Sequence, residues 1–125
     1  MSLTKPQIIK LLTVTPAEEL YRKADAIRHA NVGDAVHLRG LIEFSNICRN
    51  NCLYCGIRKD NTCVHRYHMT EEEVIATAEQ AARIGFKTIV MQSGEDLYYN
   101  KERMCRIIER IKKLDVALTL SVGNR

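Results

Sequence analysis

The chain has 125 residues, of which 46% are hydrophobic and 27% charged; this balance suits a globular α/β domain, and no apolar run approaches the roughly 20 residues of a membrane span. A net charge of +4 is mild, suiting an anionic substrate or cofactor and giving no reason to expect nucleic acid or a membrane as partner. Lys5 and Pro6 interrupt the start of the chain and no apolar stretch follows that would mark a secretory signal, so a cytoplasmic protein is expected. Five cysteines are an odd number, and three of them crowd into one short run, which suits reduced thiols serving a metal better than a disulfide framework.

Taken in chain order, Thr15-Pro-Ala-Glu18 supplies a helix N-cap, a proline at the first helical position and a capping-box glutamate. Leu20, Ala24 and Ile27 then recur at helical spacing, so a helix is expected over about 16–30, with Gly33 as its stop. Val36 to Phe44 alternates and reads as a strand. After a polar loop, Thr70-Glu-Glu-Glu73 is a second capping box ahead of an apolar stripe of Val74, Ile75, Ala78, Ala81 and Ala82, closed by Gly85 as a left-handed cap. Thr88 to Met91 reads as a buried parallel strand ending in Gln92-Ser-Gly-Glu-Asp96. Met104, Ile107, Ile108, Ile111 and Leu114 predict a further helix, and Val116 to Leu120 a third strand running into Ser121-Val-Gly-Asn124. The order is that of parallel βα units.

The chemistry concentrates in Cys48-Arg-Asn-Asn-Cys52-Leu-Tyr-Cys55, directly after the first strand. Three thiolates at that spacing suit three irons of a [4Fe–4S] cube, leaving the fourth open to a small chelating molecule. The rival reading is a structural zinc site completed by Cys63, His65 or His68, in a non-catalytic binding module. In parallel βα architectures ligands sit beyond the carboxyl ends of the strands, so the cysteine loop, Ser93-Gly94-Glu95 and Ser121–Asn124 are expected on one face. Glycine at position 94 allows a close backbone approach, and the carboxylate of Glu95 is able to receive an ammonium group.

The cysteine spacing with Tyr54 in its aromatic place, the stretch Ile42 to Asn61, Arg66-Tyr67 ahead of Met69-Thr70, and Gln92-Ser-Gly-Glu-Asp96 together resemble the radical S-adenosylmethionine (radical SAM) enzymes. Within them the resemblance runs to the maturases of [FeFe]-hydrogenase, near biotin synthase and methylornithine synthase, and covers roughly 18–123. It implies the N-terminal part of a radical SAM (β/α) barrel over 35–125, about three parallel strands with flanking helices, preceded by an N-terminal helical segment over 1–34. It further implies a [4Fe–4S] cluster on Cys48, Cys52 and Cys55, and S-adenosyl-L-methionine contacted by Tyr54, chiefly through its backbone, and by Ser93, Gly94 and Glu95. Beyond the cluster ligands no catalytic residue is named. The implied activity is cleavage of S-adenosylmethionine to a 5′-deoxyadenosyl radical acting on a small-molecule substrate in maturation of the [FeFe]-hydrogenase active site, with a biotin-synthase-like or methylornithine-synthase-like enzyme as the alternative. The implied partners are an electron donor such as ferredoxin or flavodoxin and the other hydrogenase maturation proteins.

A complete barrel of this kind takes about 250 residues and a partial one about 200, so the chain is expected to be an N-terminal portion or to be completed by a companion chain, and to be inactive alone. Relatives tend to carry an acidic residue where this chain has Asn124, in the region of the substrate cavity. Arg66 and Tyr67 read equally as loop anchors or ligand contacts, Cys63 as a bystander, Cys105 as a buried small hydrophobe, and Arg103, Arg106, Arg110, Lys112 and Lys113 as a solvated helix face.

Overall fold

The computed structural model describes residues 2–123; Asn124 lies outside them. The chain divides into two compact units, Met1–His37 and Leu38–Arg125. The first holds α1 (Lys5–Thr13) and α2 (Ala17–Val32), neither of which contributes a buried residue. Helix α1 has no counterpart in the sequence reading, although its signal was present: Thr4, Pro6 and Gln7 form a capping arrangement in which the Gln7 side-chain oxygen accepts from the Thr4 N–H at 2.8 Å. The capping box expected at Thr15–Glu18 does not form. Thr15 instead turns its N–H and its hydroxyl back to the Lys10 carbonyl, which also accepts from the Val14 N–H at the end of α1, and Pro16 takes the cap position of α2. Along α2, Ala24 and Ile27 are exposed.

The second unit is a three-stranded parallel sheet, β1 (Gly40–Ser45), β2 (Thr88–Ser93) and β3 (Ala117–Ser121) in spatial order 1-2-3, with α3 (Glu71–Arg83) and α4 (Lys101–Ile111) as the connecting helices. The first strand starts at Gly40 rather than Val36, because Gly40 pairs with Ile89 at the beginning of β2 and the residues before it have no ladder partner. Both helices pack on one face of the sheet. From the strands Ile42, Phe44, Ile89 and Met91 point into the core, met by Val74 and Ala78 of α3, Met104, Ile107 and Ile111 of α4, and Tyr99 from the loop ahead of α4. Each fully buried aliphatic or aromatic side chain among them is worth about 1.5–3 kcal/mol.

Helix α3 is delimited as expected. Thr70 accepts from the Glu73 N–H, the Glu73 carboxylate accepts from the Thr70 N–H at 2.7 Å, and Gly85, with φ +101°, lets Gly85 and Phe86 donate to the Ala82 and Ala81 carbonyls. On α4, Cys105 is exposed, not buried: it falls beside the apolar row of Met104, Ile107 and Ile111. No helix among the described residues is long and apolar enough to cross a membrane.

The other sheet face carries Leu41 and Glu43 of β1, Val90 and Gln92 of β2, and Thr119 and Ser121 of β3. Its register sets Leu41 beside Val90 beside Thr119, and Glu43 beside Gln92 beside Ser121. Leu41, Glu43, Gln92, Thr119 and Ser121 are exposed.

Candidate metal centre and cofactor site

A break in register between Glu43 and Ser45 turns the chain out of β1 and into the cysteine loop. The loop then returns to its origin. Met69 donates to the Phe44 carbonyl at 2.8 Å, Asn46 to the Tyr67 carbonyl at 3.3 Å, and Ser45 and His68 form an antiparallel bridge. Between these ends Arg66 acts as the internal staple. Its two terminal nitrogens donate to the carbonyls of Asn46, Ile57, Arg58 and Asn61 at 2.6–3.1 Å. The Tyr67 hydroxyl donates to the Glu43 carbonyl at 2.8 Å. Both residues therefore anchor the loop through backbone carbonyls. Asn51 with Asp60, and Asn61 with Gly56, close smaller turns within it.

On this framework Cys48 and Cys55 are half-buried and Cys52 is exposed; all five cysteines are free thiols. Between Cys52 and Cys55, Leu53 is 88% and Tyr54 93% exposed, so neither is a packing residue in this structure. Cys63 is exposed as well, its N–H donating to Asn61.

The loop after β2 is pressed against the cysteine loop. Gly94 is buried, and a Cβ placed on it would lie 2.8 Å from the Cys48 Cβ and collide with the Ile47 carbonyl, so only glycine permits this approach. The Arg49 N–H donates to the Glu95 carbonyl at 3.2 Å and its guanidinium to the Glu95 carboxylate at 3.0 Å. Glu95, whose side chain is 11% exposed, in turn lies over Gly123 of the segment after β3, where a Cβ would meet the Glu95 Oε1 at 2.8 Å. The three loops expected to share a face thus touch one another through Cys48, Gly94, Glu95 and Gly123.

A buried polar cluster that the sequence reading missed locks this arrangement. Asp96, 5% exposed, accepts from the Ser45 hydroxyl at 2.7 Å and the Tyr98 N–H at 2.9 Å, and His68 Nδ1 lies 3.3 Å from the same carboxylate. The His68 ring stacks on Tyr98, with Arg103 on the Tyr98 ring 4.0 Å from its centroid. Tyr99 donates from the core to the carbonyls of Phe44 and Met69, and its burial pushes its hydroxyl well above the usual phenol range. Ser45 and Asp96 are 51 positions apart, and only the pairing of β1 with β2 brings them together.

Next to the thiols lies a cavity of about 390 Å³ lined by Glu43, Ser45, Asn46, Cys55, Gly56, Ile57, Tyr67, Gln92 and Ser93. In its wall the Ser93 hydroxyl is buried without a hydrogen-bond partner, the one such side-chain atom among the described residues. An orphaned hydroxyl beside a free thiol fits a site completed by a ligand. The donor set fits a cube by its chemistry: three reduced thiols on one pinned loop. Among the described residues no group of three His, Cys, Asp or Glu is placed to grip a single metal ion, and this holds for Cys48, Cys52 and Cys55 as it does for Cys63, His65 and His68; thiolates of a cube bind separate irons, those of a zinc site one ion.

A parallel βα sheet with a cysteine loop at its carboxyl edge defines a class of cluster-binding barrel enzymes, and the comparisons agree. Residues 42–124 match the Radical SAM superfamily, and the chain belongs to it. Members of this superfamily bind a [4Fe–4S] cluster and S-adenosylmethionine, act on small-molecule substrates and need an electron donor. The chain is similar to the [FeFe] hydrogenase maturase subunit HydE of Thermotoga maritima, with 55% identity over 106 residues, covering 85% of this chain and 30% of the relative. It is also similar to the 3-methylornithine synthase of Methanosarcina acetivorans, with 30% identity over 119 residues, covering 93% of this chain and 34% of the relative. The crystal structure of methylornithine synthase (PylB) superposes with a TM-score of 0.81 at 28% identity, covering 98% of this chain and 37% of that one. The fold is therefore the N-terminal part of a radical SAM barrel, and the chain spans about a third of the length of these relatives.

Proposed function

We propose that the chain carries the cluster and cofactor site of a radical SAM enzyme that matures the active site of [FeFe]-hydrogenase. The observation that supports this most is the 55% identity to a hydrogenase maturase subunit across 85% of the chain, well above the 30% shared with methylornithine synthase. In this reading Cys48, Cys52 and Cys55 hold the cube, Ser93, Gly94 and Glu95 take the amino group of S-adenosylmethionine, and Tyr54 contacts its adenine through the backbone. A bound cube and S-adenosylmethionine supply reductive cleavage of the sulfonium to a 5′-deoxyadenosyl radical.

The chain's own residues do the positioning. Arg66 and Asn46 hold the cysteine loop rigid, so that the thiols are presented before the cluster arrives. Gly94 brings the loop after β2 against Cys48, and Arg49 fixes the Glu95 carboxylate, which leaves the orphaned Ser93 hydroxyl as a donor or acceptor for the ligand. The proposed setting is cytoplasmic, with a ferredoxin or flavodoxin as electron donor and the other hydrogenase maturation proteins as partners.

The test is a chimera in which this chain replaces the matching segment of the Thermotoga maritima maturase subunit. Hydrogenase activation in a host lacking its own maturase is expected from the chimera and lost when Cys48, Cys52 or Cys55 is replaced by serine. A chimera that binds its cluster and cleaves S-adenosylmethionine without activating hydrogenase would contradict the assignment.

A further inference from the structure

We infer that Asp96 is a positioning residue for the cofactor: acting through the Ser45 hydroxyl, its buried carboxylate fixes the spacing between the first cluster thiol, Cys48, and the Ser93–Glu95 segment, and so sets the affinity for S-adenosylmethionine. The inference rests on the proposed function for the roles of those two partners, and on three observations for the coupling between them. First, Ser45 is a junction. It ends β1 and is 3% exposed; its hydroxyl donates to Asp96 Oδ2 at 2.7 Å, ahead of the Tyr67 carbonyl at 3.3 Å, and its oxygen accepts the Ile47 N–H at 3.1 Å. Ile47 directly precedes Cys48. Two consecutive hydrogen bonds thus lead from the Asp96 carboxylate to the neighbour of the first thiol, and the first of them is charge-assisted in a buried place where little water competes.

Second, the main chain completes the same link from the other side. The Gly94 N–H donates to the Ser45 carbonyl at 3.1 Å, and the Asp96 N–H to the Gly94 carbonyl at 3.0 Å. Ser45, Gly94 and Asp96 therefore form a closed ring of hydrogen bonds that joins the end of β1 to the loop after β2. The other contacts of the carboxylate, to the Tyr98 N–H at 2.9 Å and to His68 Nδ1 at 3.3 Å, tie this ring to the loop ahead of α4 and to the returning end of the cysteine loop.

Third, the two loops are already at contact distance, since a Cβ on Gly94 would lie 2.8 Å from the Cys48 Cβ. In the proposed function the cofactor is held by the cube on one loop and by Ser93, Gly94 and Glu95 on the other. A slip of about 1 Å between the loops therefore misplaces one end of the cofactor relative to the other. Asp96→Asn nearly keeps the side-chain shape but removes the charge and replaces one acceptor by a donor, which frees the Ser45 hydroxyl to turn to the Tyr67 carbonyl and opens the ring.

The experiment uses the chain reconstituted anaerobically with iron and sulfide, as wild type, Asp96→Asn, Ser45→Ala and the double variant. The dissociation constant for S-adenosylmethionine is read from the change it causes in the electron paramagnetic resonance spectrum of the reduced cluster, normalised to cluster content. Each single variant is expected to keep its cluster and to bind S-adenosylmethionine about tenfold more weakly, the scale of one hydrogen bond to a charged group. The double variant should bind no more weakly than the singles, because both break the same link. Ser45→Ala, which removes only a hydroxyl, carries the test if Asp96→Asn does not fold. In the cluster-free chain labelled with nitrogen-15, the Ile47 and Gly94 amide resonances should move together in either variant. Ile111→Val thins the core at the opposite end of α4; it is expected to lower the melting temperature and leave the affinity unchanged, which separates positioning from loss of stability. Unaltered affinity in the single variants, additive losses in the double variant, or an equal loss in Ile111→Val would each overturn this inference alone. A wild-type chain that assembles no cluster, or whose cluster is indifferent to S-adenosylmethionine, overturns the proposed function and this inference with it.

Discussion

Arg66 directs its guanidinium into four carbonyls of one loop, and no other side chain described here makes as many contacts to the main chain. A planar fork of donors suits this task, because its N–H bonds leave in fixed directions that a lysine ammonium does not reproduce. Arg66→Met keeps much of the stem and removes every donor. It is expected to destabilise the second unit by about 2–3 kcal/mol, the scale of a hydrogen bond to a charged group together with the carbonyls left partnerless, and denaturant titration followed by circular dichroism measures it. Arg66→Lys should recover only part of that loss. The sequence left Arg66 open between anchor and ligand contact, since an arginine in a polar loop carries no local sign of what it faces; the answer lies in carbonyls five to twenty positions away. Ser93, Gly94 and Glu95 stood out in the sequence through their place after a strand, and the structure adds the reason for the glycine: the Ile47 carbonyl and Cys48 leave no room for a Cβ.

At the scale of elements, α3 shows how far local signals reach. Its start and stop were legible in Thr70, Glu73 and Gly85, because a capping box and a left-handed glycine are short-range devices that act in the chain's own neighbourhood. The start of α2 was misread for the same reason inverted: Thr15 and Glu18 have the right spacing, but a preceding helix claims Thr15 first. The α3 cap also predicts a pH dependence. Hydrogen bonds from the Thr70 backbone and then its hydroxyl hold the Glu73 carboxyl below its usual value. A depressed carboxyl stabilises the fold fully above its unfolded value, and that contribution is lost as pH falls through the folded one. The melting temperature of the wild type should therefore drop toward that of Glu73→Gln on acidification and exceed it at neutral pH. Thr70→Ala, which removes the other half of the box, is expected to cost about 1 kcal/mol at neutral pH.

Across the whole molecule, the alternation of strands and helices gave the parallel sheet, and the three strand-end loops were placed on a common face before their contacts were visible. The Ser45–Asp96–His68 cluster was not legible, because its members come from the end of β1, the returning cysteine loop and the loop after β2, and join only through the sheet register. The polar row of Glu43, Gln92 and Ser121 was hidden likewise, since each residue is unremarked within its own strand. What unites these features is a cysteine loop fastened to the sheet at both ends, with the second and third strand-end loops laid against it.

The account depends on Cys48, Cys52 and Cys55 holding a cube with one iron free of protein. Mössbauer spectroscopy of the chain reconstituted anaerobically with iron-57 and sulfide tests this directly. It should report a [4Fe–4S] cluster in which one iron site changes on adding S-adenosylmethionine, retained in Cys63→Ser and Cys105→Ser and lost when any of the three loop cysteines is replaced. A cluster that survives loss of one of those three, that needs Cys63, or whose four irons are all indifferent to S-adenosylmethionine would contradict it.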